Sequence, residues 1–123
     1  MDINTLTEKV IGLAIEVHKT LGPGLLESSY ESCLVYELTN HKIPAQRQVL
    51  LPLQYKGINI DNGYRIDILI PNTLIIELKA TDKISPIHIA QTLTYLKLSK
   101  IKTGLIINFN STKLTNGLKR LRL

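Results

Sequence analysis

The sequence predicts an α/β fold in which a mixed β-sheet is flanked by helices. Its element order reads helix, helix, strands, helix, strand, helix. Two observations carry this reading. Apolar residues recur at helical spacing up to about residue 40 and alternate at strand spacing from Val49 onward. Clusters of Pro and Gly cut the chain at the junctions between these periods. The chain has 123 residues, 44% of them hydrophobic and 20% charged, so one core suffices and residues 1–123 read as a single domain.

The first element is a helix. Thr5 and Glu8 have the Thr-x-x-Glu spacing of a capping box, and Leu6, Val10, Ala14, Val17 and Leu21 form one face. Gly22-Pro23-Gly24 ends it. A second helix is expected from about Leu26 to Asn40, with Tyr30, Leu34 and Leu38 on one face, Cys33 beside them, and Pro44 closing the region. Val49, Leu51, Leu53 and Tyr55 then alternate as one strand, which Pro52 assigns to a sheet edge or a bulge. Lys56-Gly57 and Asp61-Asn62-Gly63 are turns.

Tyr64–Ile70 and Leu74–Lys79 are two strands joined by the turn Pro71-Asn72-Thr73. Ser85 and Pro86 open a third helix as N-cap and first residue. Its buried side is expected at Ile89, Leu93 and Leu96, with Ile87 and Ala90 nearby. Gly104–Phe109 is a short apolar strand, and the tail from Ser111 fits a short helix with Leu114, Leu118 and Leu121 on one side.

Charge is distributed unevenly. Fifteen Lys and Arg against ten Asp and Glu give +5, yet all acidic residues lie at or before Asp82. From Lys83 onward there are eight basic residues and no acidic one, a pattern that fits a polyanionic partner or a solvated helix face. Trp is absent and Phe occurs once, which argues against aromatic stacking platforms as the main means of binding single strands. No apolar run nears the length of a membrane span and no signal-peptide pattern opens the chain, so a cytoplasmic location is expected. A single Cys excludes an internal disulfide and a multi-Cys zinc site.

Asp67, Glu77 and Lys79 stand in otherwise apolar strands, where a charge is costly unless paired or metal-bound. Glu77 and Lys79 point to the same face. If Pro71-Asn72-Thr73 is the turn, Ile70 faces Leu74, Asp67 faces Glu77 and Arg65 faces Lys79. Facing carboxylates repel, and the arrangement makes sense where a hard cation such as Mg²⁺ belongs between them. Lys79 beside them can stabilise an anion or hold a nucleophilic water. The competing reading is a surface ladder in which Asp67 pairs with Arg65 or Lys79.

Further motifs favour the first reading. Asp67, a gap of nine residues, and Glu77-Leu78-Lys79 resemble the D-(x)n-E-x-K signature of the PD-(D/E)XK nuclease superfamily. Gln91-Thr92-Leu93-Thr94-Tyr95 is similar to the Q-x-x-x-Y motif of its exonuclease-type branch. Gly24-Leu25-Leu26-Glu27-Ser28-Ser29-Tyr30 resembles the G-x-x-E-x-x-Y motif that names one small family within it, and the flanking stretches Val17–Gly24 and Ile107-Asn108-Phe109 also resemble that family. One departure is that Ile66, not Pro, precedes Asp67.

The resemblance implies a restriction-endonuclease-like core, α-β-β-β-α-β, with an extra N-terminal helix. It implies that Asp67 and Glu77 bind Mg²⁺ or Mn²⁺, with the Leu78 carbonyl and Glu27 as further ligands. Lys79 would activate water or stabilise the transition state, while Gln91 and Tyr95 would position substrate or lysine. Lys83, Lys97, Lys100 and Lys102 are candidate phosphate contacts on DNA or RNA.

Other residues read as structural. Glu16 and Glu31 are expected on exposed helix faces, and Cys33 and Tyr30 in the core. His18, His41 and His88 show no paired ligand spacing. The expected function is phosphodiester hydrolysis. A non-catalytic nucleic-acid-binding module and a regulatory or assembly subunit on the same fold are the alternatives. A homodimer or a larger partner protein could use the apolar tail around Leu114, Leu118 and Leu121.

Overall fold

A computed structural model of the protein describes residues 1–61 and 63–123. The Asp61-Asn62-Gly63 turn therefore falls partly outside the described residues; within it the Gly63 amide donates to Asp61 Oδ1. The elements follow as α1 (Ile3–Leu21), α2 (Glu27–Asn40), β1 (Gln46–Leu50), β2 (Leu53–Tyr55), β3 (Ile58–Ile60), β4 (Arg65–Ile70), β5 (Leu74–Lys79), α3 (Pro86–Ser99), β6 (Thr103–Asn108), a short 3₁₀ helix (Leu114–Gly117) and β7 (Leu118–Arg122). This is the expected mixed α/β architecture.

Five strands form one sheet in the order β1-β4-β5-β6-β7. Only β5 and β6 run parallel, because α3 carries the chain back between them. One apolar cluster joins α1 and α2 to Ile68, Ile76, Leu78 and Ile107, and a second joins α3 to Ile75, Ile106 and Leu121. The central strands are thus buried on both faces, which explains the continuous apolar runs of β5 and β6. Among the described residues no helix is long and apolar enough to cross a membrane.

Several expectations need correction. The cap of α1 is Asp2, whose carboxylate accepts from the Thr5 amide, so the helix starts before the Thr5–Glu8 pair. The alternation from Val49 to Tyr55 is divided between two sheets. Pro52 has no N–H to continue a ladder, so β1 stops at Leu50 and β2 pairs with β3 in a separate hairpin. Its turn is the expected Lys56-Gly57, with both residues at positive φ.

Ile87 is 71% exposed, whereas Thr92, Tyr95 and Leu96 are buried on α3. The tail is a 3₁₀ turn over Leu114–Gly117 followed by a strand, not one helix running through Leu121. Leu118 and Leu121 lie an odd number of residues apart, so β7 sends Leu118 toward the α1–α2 cluster and Leu121 into the α3 cluster. Leu114 and Leu121 are buried within this chain, so these two are not free to serve as the apolar contact for a partner raised from the sequence.

Candidate active site

The two central strands pair as the turn demanded. Ile70 faces Leu74, Leu69 faces Ile75 and Ile68 faces Ile76, with Asn72 at φ 60° in the turn. One step further the backbone pairing gives way to side chains. The Asp67 amide donates to Glu77 Oε1 at 3.0 Å, and the Leu78 amide donates to Asp67 Oδ2 at 2.8 Å. Each carboxylate therefore holds an amide of the opposite strand. Arg65 and Lys79, expected to face each other, are not paired in that ladder.

These contacts fix two acids side by side at the open end of the hairpin. Glu77 is buried, and its carboxyl is pushed up to about 8, first by burial and then by the Asp67 charge. Burial also raises Asp67, reinforced by the charges of Glu31 and Glu27, while the Leu78 amide and Gln48 pull it back. Lys79 shares the Glu77 face and favours the ionised form of Glu77. Near neutral pH the metal-free pair retains a proton where a cation would otherwise compensate its charge.

From α3, Tyr95 feels the charges of both acids and Gln91 is bonded to Tyr95. The Gln91 amide donates to the Tyr95 hydroxyl at 3.0 Å. Burial raises the Tyr95 phenol to about 12, with Glu77, Asp67 and Tyr64 adding to the shift, so it remains protonated. Tyr64 tilts against Tyr95 with ring centroids 6.1 Å apart. Tyr64, Ile87, Ala90, Gln91, Thr94 and Tyr95 line an open cleft of about 370 Å³.

Glu27 arrives from the first turn of α2. Its Oε2 accepts from the Ala80 amide at 3.3 Å, directly after Lys79. Tyr30 explains the placement. Its hydroxyl donates to the Gly22 carbonyl at 2.6 Å and accepts from the Leu25 amide at 3.1 Å. Its buried ring stacks on Phe109 with centroids 4.4 Å apart. The Gly22-Pro23-Gly24 loop is thereby pinned to the core, with Gly24 at φ 98° turning the chain into α2. The spacing of Gly24, Glu27 and Tyr30 is thus a turn, a carboxylate and the anchor that aims it.

Asn108 holds the loop after β5. Its Oδ1 accepts from the Thr81 and Asn110 amides, and its Nδ2 donates to the Thr81 carbonyl. His18 is buried, and its Nε2 lies 2.7 Å from the Ser111 carbonyl. His88 Nδ1 accepts from the Ser85 amide. Both histidines are occupied in holding backbone. Glu16 is exposed as expected, but Glu31 is 5% exposed and pairs with Arg47, so its expected exposure is corrected.

The basic residues divide. Lys83 lies in the loop between β5 and α3, four residues after Lys79, and lines a cavity with Asn108 and Ser111. Lys97, Lys100 and Lys102 surround the C-terminus of α3 and the start of β6. Since Gly104 pairs with Ile75, that cluster lies at the far end of β5 from Lys79, at least roughly 13 Å along the strand at 3.3 Å per residue. The fold therefore does not gather these three lysines around the carboxylates.

The donor set fits a hard divalent cation: two carboxylates face one another, and one keeps a proton up to about pH 8. Among the described residues no group of three or more His, Cys, Asp or Glu side chains is gathered to hold a metal. Backbone oxygen and water would have to complete its coordination, as is common for Mg²⁺. Sequence reasoning missed Glu31, Arg47, Gln48, Tyr64 and Asn108. The signals that could have found them were the polar run Gln46-Arg47-Gln48 ahead of an apolar strand and the lone Asn ending another.

A family model described as the PD-(D/E)XK nuclease superfamily matches residues 4–121. No curated protein and no solved structure matches the chain.

Proposed function

We propose, because the chain belongs to the PD-(D/E)XK nuclease superfamily, that it is a divalent-metal-dependent nuclease hydrolysing the phosphodiester bonds of nucleic acid. The observation that carries this reading is the reciprocal clasp of the half-buried Asp67 and the buried Glu77, with Lys79 on the Glu77 face. Its finer assignment to the G-x-x-E-x-x-Y family rests on Gly24, Glu27 and Tyr30 acting as one unit.

Asp67 and Glu77 would hold Mg²⁺ or Mn²⁺, with the Leu78 carbonyl and Glu27 as supplementary ligands. A cation held there supplies Lewis acidity at the scissile phosphate. Lys79 presents its ammonium to the charge that develops on the phosphoryl oxygens. Tyr95 stays a neutral phenol beside the acids, and Gln91 fixes its orientation. The cleft between Tyr64 and Ile87 is open to a nucleotide flanking the reacting phosphate. Lys83 contacts a nearby phosphate, and Lys97, Lys100 and Lys102 contact more distant ones.

The test is cleavage of a panel of single- and double-stranded DNA and RNA with Mg²⁺ or Mn²⁺, using wild type beside Asp67→Ala, Glu77→Ala and Lys79→Ala. Metal-dependent cleavage abolished in all three variants is expected. Cleavage surviving in Glu77→Ala would overturn the site. Salt-sensitive binding without cleavage by the wild type would favour a non-catalytic module on this fold.

A further inference from the structure

Gln48 has an unusual backbone conformation for a strand residue. It lies in β1 at φ 51°, in the left-handed region that a side chain with a Cβ seldom occupies. The pairs Gln46–Leu69, Arg47–Ile68, Val49–Ile66 and Leu50–Arg65 flank it in a regular register, and by that count Gln48 lies opposite Asp67. The ladder skips this one position. Neighbouring strand residues ordinarily point to opposite faces. Here Arg47 and Gln48 both reach the same carboxylate on α2.

That carboxylate belongs to Glu31. Arg47 Nε and Nη2 donate to Glu31 Oε2 at 3.1 and 3.0 Å, while Gln48 Nε2 donates to Glu31 Oε1 at 2.6 Å. The same Gln48 nitrogen lies 3.3 Å from Asp67 Oδ1. Both neighbours are carboxylates, so the amide must present its nitrogen to them. The other oxygen of Asp67 is already held by the Leu78 amide. The Asp67 carboxylate is therefore oriented from both sides, once by its neighbouring strand and once by Gln48. Arg47 pairs with Glu31 and fixes it in place.

Backbone strain at a functional position persists where the surroundings hold it. Here the surroundings are the buried Glu31, its Arg47 partner and the hydrogen bonds joining α2, β1 and β4. We infer that Gln48 is a positioning residue: anchored by the Arg47–Glu31 pair, it sets the Asp67 carboxylate in the orientation that receives the divalent cation. This rests on the reading of Asp67 as a metal ligand. Hydrogen-bond partners of metal ligands commonly govern affinity by ten- to a hundredfold.

The test is Mn²⁺ titration by calorimetry at fixed pH, with thermal melts in EDTA, on wild type, Gln48→Gly and Asp67→Ala. Gly accepts the left-handed conformation without strain but lacks the amide. Gln48→Gly should melt at or above the wild-type temperature yet bind Mn²⁺ at least tenfold more weakly, whereas Asp67→Ala should not bind. If Gln48→Gly melts lower, Gln48→Asn takes its place, since Asn tolerates that conformation and its shorter amide cannot span both carboxylates. Wild-type Mn²⁺ affinity in the folded Gln48 variant, with binding abolished in Asp67→Ala, would overturn the positioning role alone. Wild-type affinity in Asp67→Ala would overturn the metal site and this role with it.

Discussion

The two ends of the β4–β5 hairpin are built from the same strands on different principles. At the turn end, Ile68, Ile70, Leu74 and Ile76 face one another through a regular backbone ladder and are buried in the core. At the open end, Asp67 and Glu77 replace ladder bonds with side-chain bonds to opposing amides. The first end gains from desolvation, while the second retains desolvated charge. A hairpin can present acids at one end because the other end fixes its register.

Breaking the open end should have the largest functional effect. Asp67→Ala, Glu77→Ala and Lys79→Ala should each lower metal-dependent cleavage by roughly 10²–10³ or more, the scale of removing one transition-state interaction from a preorganised site. Circular dichroism should still report a folded protein. Breaking the turn end should do the reverse. Ile76→Ala, at a position with no exposed surface, should cost about 2–5 kcal/mol in chemical denaturation, and any molecules that remain folded should keep their Mn²⁺ affinity.

Acidity sharpens the contrast. Glu77 has a folded value of about 8 against an ordinary 4.5, so the folded state binds the proton more tightly than the unfolded one. Its stabilisation is fully present below about pH 4.5 and is lost as pH rises through about 8. Asp67 is shifted in the same direction. Melts in EDTA should therefore fall across this window, and Glu77→Gln should flatten the fall. Mn²⁺ must displace the proton, so its affinity should rise over the same window. At tenfold excess over Kd, Mn²⁺ should stabilise the wild type by about 1.4 kcal/mol, a shift of several degrees. Asp67→Asn should gain much less, and an equal gain would mean that the cation binds elsewhere.

The smallest effect belongs to the far lysines. Replacing Lys97, Lys100 and Lys102 with Gln should flatten the salt dependence of nucleic-acid binding, measured as log K against log salt. The slope should change by up to about 0.9 for each duplex phosphate that is no longer neutralised. The cleavage rate at saturating substrate should not change. An unchanged slope would make them a solvated face.

The hairpin and its facing acids were legible because a three-residue turn fixes register and the side-chain period of a strand is two. Gln91 and Tyr95 were legible because four residues make about one helical turn. What stayed hidden depended on distant partners. Glu31 lies beside the apolar stripe of α2, and nothing local reveals that Arg47, sixteen residues away, will cover it. Gln48 was hidden because its left-handed backbone breaks the alternation from which strands are read. Leu114, Leu118 and Leu121 have helical spacing, yet only Leu114 keeps a short 3₁₀ turn; β6 offered an open edge, and Leu118 and Leu121 pair with it. The lysines after Lys83 form one group in sequence, but α3 carries most of them away from the acids.

The stack of Tyr30 on Phe109 also bears on when the site comes into being. It joins residues 79 positions apart, and through Tyr30 it holds the loop from which Glu27 reaches the end of β5. Closing so long a span forfeits chain entropy before any interaction compensates it, so pairings of this kind form late in folding. The hairpin closes between neighbours in sequence, whereas Glu27 reaches the end of β5 only across this much longer span. A chain lacking this contact would hold the hairpin without Glu27 beside it, so the three acids come together only in the native arrangement.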